Sequence, residues 1–407
     1  MESADLARDL APAQRDASTG AFLHPPHWGF RMVTFMDFAR WKWSTTALGP
    51  QVPTDAAELD KVLPVRTPNF GPQIPTGKAR ITWLGHASVL LEVPVGADGT
   101  TATILTDPVF VERCSPFQWV GPKRYRPAPL QVADLPRIDA VVLSHNHYDH
   151  METTTLTQLR LRFPDLQWFV PLGNAHYLTP LGIPRSRITE QNWWDSTTIS
   201  LHGAAFTFSL VPVMHWTRRG VLDTNKALWG GWVVQGLGGS FFFSGDTAYC
   251  SAFKAIGHKF GGFSVSAIPI GAYGPREVFS VQHCDVPEAI QIHKDVQSHS
   301  SLGIHWGTWV MTEEYYLEPK MELERLMACE DFTPDHVPLD RVPIPTIIPD
   351  EFDDVVSPAW PEQSAATSTA PSETDPRDAH AQDDQDAQGD QDYLGRERRV
   401  GPSRLEQ

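Results

Sequence analysis

Residues 143–151, Leu-Ser-His-Asn-His-Tyr-Asp-His-Met, place three histidines and an aspartate within six positions, directly after the apolar run IDAVV. A lone histidine beyond a strand is most often a hydrogen-bonded packing residue. A cluster this dense is different, because neighbouring imidazoles and a carboxylate repel or desolvate one another unless a cation or a shared network satisfies them. Neutral imidazole and carboxylate are the ligands that zinc and related divalent ions take. The spacing His-x-His-x-Asp-His lets two side chains serve one ion and the next two a second. The segment predicts a metal site at the end of a buried strand.

Working outward, the same arrangement recurs. Short segments rich in Val, Ile, Phe and Trp, among them ARITWLGHASVLLEV, ATILTDPVF, LQWFVPL, AFTFSLVPVMHW, GWVVQGLGGSFFFSGDT, FSVSAIPIGAY and LGIHWGT, end at Gly, Pro, Asp or Ser and read as strands. TTTLTQLRLRF and VPEAIQIHKDVQ read as helices between them. His215 follows FTFSLVPVM, Asp246 follows FFFSG and His305 follows SLGI, so each metal-competent side chain sits where a strand ends. Strands that share sheets bring such ends to one edge, where loops on a rigid scaffold converge.

Composition sets the frame. Of 407 residues, 41% are hydrophobic and 14 are Trp, enough for a large core. No apolar run approaches the roughly 18 residues of a membrane span, and the acidic start MESADLARDLAPAQRD suits neither a secretory nor a mitochondrial signal, so a cytoplasmic protein is expected. Cys114, Cys250, Cys284 and Cys329 lack CxxC spacing and read as reduced packing residues. The formal charge of −16 argues against nucleic acid as a partner. The stretch from Glu351 onward carries 14 acidic and 5 basic residues and is rich in Pro, Ser and Asp. The division expected is a disordered 1–21, a hydrolase body over 22–348 and a disordered acidic tail over 349–407. Within the body, 22–70 is an N-terminal extension. There Met32, Phe35, Met36, Ala39 and Trp43 fall at helical spacing, giving either a helix docked on the core or a surface that meets lipid.

The His-x-His-x-Asp-His run, the later lone His215, the aspartate of FSGDT and the terminal His305 together resemble the metallo-β-lactamase superfamily. The resemblance implies an α/β fold, the αβ/βα sandwich of two mixed β-sheets flanked by helices, with a dinuclear metal site at the sheet edge. By position, His145, His147 and His215 would hold one metal ion, Asp149, His150 and His305 the second, and Asp246 would bridge them. That fold alone names no substrate.

Longer matches narrow the choice. TWLGHASVLLE, LTDPVFVERCSPFQWVGPKRYRPAP, SHNHYDHM, NKALWGGWVV, FFFSGDTAYC, AIPIGAYGPR and IHWGTWVMTEEYYLEP are similar to the N-acyl-phosphatidylethanolamine-hydrolysing phospholipase D family, from about Phe22 to beyond Pro319. The likeness implies two zinc ions per chain and a hydroxide bridging them. It also implies release of an N-acylethanolamine with phosphatidic acid left behind, peripheral contact with a membrane that supplies the phospholipid, and a homodimer. The catalytic set it implies is Asp149, Asp246 and His283, with Asp149 orienting the hydroxide and His283 stabilising phosphate or protonating the leaving group. The alternative is a hydrolase of the same fold acting on a lactone, a cyclic phosphodiester or RNA.

Other residues are weaker candidates. HCDVPEAI around His283 also reads as a helix start, with Asp285 as the cap before Val286 and Pro287. His86 in WLGHAS is expected near the site as a structural histidine. Lys123 and Arg124 could attract an anionic headgroup, and Trp119, Tyr125, Tyr273 and Trp306 could line an acyl-chain path.

Overall fold

A computed structural model of the chain describes residues 7–44, 51–328 apart from 72, 76 and 97, and the pair 355–356. The strands are β1 Arg80–Trp83, β2 Val89–Pro94, β3 Thr101–Thr106, β4 Ala140–Val142, β5 Gln167–Pro171, β6 Ile188–Gln191, β7 Ser196–Leu201, β8 Ala204–Val211, β9 Gly231–Gly236, β10 Gly239–Phe243, β11 Phe263–Pro269, β12 Ser298–Ile304 and β13 Val355–Val356. The α-helices used below are α1 Phe35–Ser44, α2 Ala56–Val62, α3 Thr153–Arg162, α4 Ala175–Leu178, α5 Ala252–Phe260, α6 Arg276–Phe279, α7 Val286–Asp295 and α8 Glu318–Ala328.

Two mixed sheets form, one in the order β13-β1-β2-β3-β4-β5-β6 and the other β12-β11-β10-β9-β8-β7. Their strands alternate as a period of two requires. In β2, Val89, Leu91 and Val93 face the core between the sheets, whereas Leu90 joins a second core formed with Leu156 and Leu159 of α3. Both faces are buried, so the strand reads as a continuous apolar run rather than a polar alternation. Between the sheets, Phe169 of β5 stacks on Phe208 of β8 at 4.0 Å, and the Trp232 indole of β9 donates to the Leu143 carbonyl at 2.9 Å.

Strand direction decides where the loops gather. β3 to β6 run parallel in the first sheet, and β10, β11 and β12 run parallel in the second. β8 is antiparallel to β9 and β9 to β10, so β8 shares the direction of β10. The C-terminal ends of β8, β10 and β12 therefore lie along one edge of the second sheet.

Two expectations about the chain's periphery change. Residues 7–21, expected to lack fixed structure, pack on the body: Asp9 is buried and accepts from His27 Nε2 and Trp28 Nε1, both at 2.7 Å, and Ala13 N donates to Asn192 Oδ1. These are long-range contacts that no local pattern announces. Among the described side chains of α1 the buried one is Trp41, which meets the Phe279 ring edge-on and donates to Glu313, while Met36 and Trp43 of the expected apolar face are exposed. The acidic tail lies outside the described residues except at Val355–Val356, which pair antiparallel with Ile81 and Arg80 of β1.

Candidate metal centre

Five chain segments deliver the predicted side chains to one place. The loop between β4 and α3 carries His145, His147, Asp149 and His150; His215 follows β8, Asp246 follows β10, His283 precedes α7, and His305 follows β12. The loops fit together closely. Gly245 has φ 61°, and a Cβ there would fall 2.4 Å from the Ser144 Cβ, so only glycine lets the Asp246 loop lie against the histidine loop. His86, Asp107 and His305 at this site also adopt positive φ without being glycine.

The candidate donor atoms form two groups. His145 Nε2 lies 2.8 Å from His147 Nδ1, which is 3.2 Å from His215 Nε2. On the other side, Asp149 Oδ2 lies 3.3 Å from His150 Nε2 and 3.5 Å from His305 Nε2. Between them, Asp246 Oδ2 is 3.1 Å from both His150 Nε2 and His305 Nε2, 3.7 Å from His215 Nε2 and 3.9 Å from His145 Nε2. His283 joins His215 and Asp246 with ligand atoms within 4.8 Å of one another. All of them except the half-buried His147 are buried.

Neighbouring groups fix which nitrogen faces inward. His150 Nδ1 donates to Asp107 at 2.7 Å, His215 Nδ1 to the Gln282 carbonyl at 3.0 Å, and His145 Nδ1 to Ser144 Oγ at 2.8 Å, whose own hydroxyl donates to Asp107. Each Nε2 is left as a lone pair aimed at the centre. His147 Nε2, His150 Nε2, His305 Nε2, His283 Nδ1 and Asp246 Oδ1 are buried without a hydrogen-bond partner. Inward-facing lone pairs and orphaned buried atoms are costly unless a cation satisfies them, so the donor set fits divalent metal. Burial holds His86, His147, His215 and His283 neutral, each down to about pH 3. Burial opposes ionisation of Asp149 and Asp246 too, but pairing with His150 and His305 outweighs it and keeps both carboxyls well below their usual range, while the same pairing raises His150 well above the ordinary imidazole value and His305 to about 9.

A family model described as a beta-lactamase superfamily domain matches residues 102–306. The "N-acyl-phosphatidylethanolamine-hydrolyzing phospholipase D 1" of Caenorhabditis elegans is 40% identical over 285 residues, 69% of this chain and 78% of that protein. The chain belongs to the N-acyl-phosphatidylethanolamine-hydrolysing phospholipase D family. A Saccharomyces cerevisiae protein of the same name, "mitochondrial", is 32% identical over 304 residues, 68% of this chain and 64% of that protein. An uncharacterised Mycobacterium tuberculosis protein is 36% identical over 286 residues, 70% and 71% of the two chains. As a member of this phospholipase D family, the chain is a metal-dependent hydrolase with the metallo-β-lactamase fold.

Sequence reading overlooked Asp107. Fully buried in LTDP, it accepts from Ser144 N, Ser144 Oγ and His150 Nδ1, tying β3 to the histidine loop. The signal was a lone acid between an apolar strand and a proline. His86 is where it was expected, donating from Nε2 to Asp149 Oδ2 at 3.0 Å. The helix-start reading of His283 also holds, since Asp285 caps α7 by accepting from Glu288 N. Both features coexist because the cap begins two residues after the histidine.

The proposed lipid-contact residues of this family member divide. Arg124 is buried; it donates to the Val109 and Val111 carbonyls, lies over the Trp309 ring at 4.3 Å, and also lines the groove beside Trp306. Tyr273 is buried and donates to Glu318 at 2.8 Å, and Lys123 pairs with the exposed Glu112. Trp119 projects to solvent, stacked on Phe117. Tyr125 lines a small pocket beside His86 and His305. Trp306 stacks on Trp83 and lines an apolar groove of about 240 Å³ with Leu63, Ile81, Ile270 and Leu323. No cluster residue lines that groove; Gly85 and Trp306, the neighbours of His86 and His305, form part of its wall.

Proposed function

We propose that the chain cleaves N-acyl-phosphatidylethanolamine at the phosphodiester bond on the ethanolamine side, giving phosphatidic acid and an N-acylethanolamine. The observation that carries this is the convergence of seven donor side chains in a chain 40% identical to a named enzyme of that activity. One zinc ion would be held by His145, His147 and His215, and another by Asp149, His150 and His305, with Asp246 Oδ2 within reach of both. When bound, a pair of such ions lowers the pKa of water toward about 7 and offsets phosphate charge.

The chain's own groups account for the rest. Asp149, anchored by His86, presents a carboxylate that can orient water for attack at phosphorus. The new P–O bond forms as the bond to the ethanolamine oxygen breaks, and that oxygen takes up a proton. His283 stands 5.2 Å, ring to ring, from both His215 and His305, with Nδ1 buried and unpaired. It is placed to give a hydrogen bond to a phosphoryl oxygen or to the departing one.

Contact with a phospholipid surface is supported by three apolar projections rooted beside the cluster. Trp43 of α1 is 93% exposed, Trp119 77% and Leu222 89%. α1 is anchored through Trp41 on Phe279, next to His283; the Trp119 loop through Arg124 on Trp309, next to His86; the Leu222 loop starts just after His215. Among the described residues no helix is long and apolar enough to cross a membrane. The apolar groove beside Trp306 suits a lipid tail.

Zinc-loaded protein in mixed micelles tests the reading. Release of N-acylethanolamine and phosphatidic acid is expected, with Asp246→Asn reducing turnover more than about 100-fold while the fold is kept. An intact lipid alongside cleavage of a lactone or RNA would replace the substrate assignment.

A further inference from the structure

Arg219 stands outside the set of donors, yet it contacts the loop that carries four of them. Its Nη1 donates to the Asn146 carbonyl at 2.9 Å and to the Met151 carbonyl at 2.6 Å. Those two carbonyls bracket His147, Asp149 and His150. The guanidinium also lies 4.0 Å from the Tyr148 ring centroid, over the one large side chain in the middle of the same loop. The neighbouring Arg218 N donates to Asn146 Oδ1 at 3.0 Å, and Tyr148 Oη reaches back to the Arg219 carbonyl at 3.4 Å.

The arginine is itself held. Asp223 accepts from Arg219 N and, at 2.8 Å, from Gly220 N, and Tyr177 Oη of α4 donates to Asp223 at 3.1 Å. No carboxylate forms an ion pair with the Arg219 guanidinium among the described residues, so its charge is met by carbonyl dipoles and an aromatic face. Burial accordingly pulls its pKa below the usual arginine value. A cation used this way does little for surface charge. It closes the span from Asn146 to Met151 into a fixed turn and joins it to the segment that begins at His215.

We propose that Arg219 is a positioning residue for the metal centre, setting the spacing of His147, Asp149 and His150 relative to His215. The inference rests on the reading of these histidines as metal ligands. A planar guanidinium suits the task because one edge serves both carbonyls while the face stacks on Tyr148, which a lysine or glutamine cannot do together.

Zinc affinity tests it, measured on the full chain by competition with a chromophoric chelator, together with the thermal midpoint of the chelated protein. Arg219→Gln should bind zinc about 10- to 100-fold more weakly, the size of effect that outer-shell partners have, with the midpoint of the chelated form moved by a few degrees at most. Arg219→Lys should recover part of the affinity. An unchanged zinc affinity in Arg219→Gln, or a fall in midpoint without an affinity change, overturns the proposal. If Arg219→Gln fails to fold, Arg219→Lys decides: weaker zinc binding upholds the role and wild-type binding overturns it. Wild-type protein that takes up no zinc would instead overturn the reading of the metal centre.

Discussion

Asp107 Oδ2 and His150 Nδ1 meet at 2.7 Å, and through that contact β3 of the first sheet fixes the ring plane of a proposed ligand. The carboxylate is fully buried and also accepts both donors of Ser144, whose hydroxyl oxygen in turn accepts from His145 Nδ1. One side chain thus governs a histidine in each half of the cluster. Asp107→Ala should weaken zinc binding by about 10- to 100-fold and lower activity with it, as loss of an outer-shell carboxylate does. Chelator competition reads this directly, and retained affinity would mean that His145 and His150 hold their orientation without it.

His283 has two possible duties that one variant separates. As a donor to phosphate or the leaving oxygen, its replacement by alanine should lower kcat by about 10²- to 10⁴-fold with metal content unchanged. A parallel loss of metal would make it a ligand, for which its proximity to His215 and Asp246 also qualifies it.

His293 lies on α7, away from the metal cluster, buried with Nδ1 2.7 Å from Ser301 Oγ. Burial lowers its pKa to about 4 from 6.5, with Lys294 and His299 adding to the shift. Because the folded value is depressed, the unfolded chain takes up the proton first. Stability should be unaffected above pH 6.5 and should fall between pH 6.5 and 4 by up to about 3 kcal/mol. Denaturant titrations of the chelated protein and of His293→Gln across that window should differ in slope, the variant being flatter. Equal slopes would show that another group carries the dependence.

Leu222 and Trp43 are exposed on separate segments rooted near the cluster. Changing both to serine should weaken binding to phospholipid vesicles about tenfold, equivalent to about 1.4 kcal/mol, and leave turnover of a short-chain soluble substrate unaltered. Sedimentation with vesicles measures the first and a colorimetric assay the second. Equal vesicle binding would place the lipid contact elsewhere.

How much of this was legible beforehand depended on where each residue sits. The buried strands announced themselves, because two covered faces leave apolar runs such as VLLEV and FFF, and the site residues followed as the polar groups at their ends. β6 and β7 went unread. They are the terminal strands of their sheets, and ITEQ and STTISL alternate polar, partly exposed residues that look like loop. α5 is only nine residues long and was hidden between apolar segments. Long-range pairing explains the other differences. Trp41 rather than Trp43 docks α1 because Phe279 and Glu313 lie under that face, Asp9 is ordered by His27 and Trp28, and Arg124 turns inward to two carbonyls of its own loop. None of these choices is encoded within a few residues of where it acts.

The central claim is that seven side chains from distant segments surround a pair of divalent cations. Elemental analysis of purified, active protein tests it most directly. Two zinc ions per chain are expected, removed by a chelator in step with activity and restored with it. Fully active protein containing less than one transition-metal ion per chain would contradict the account.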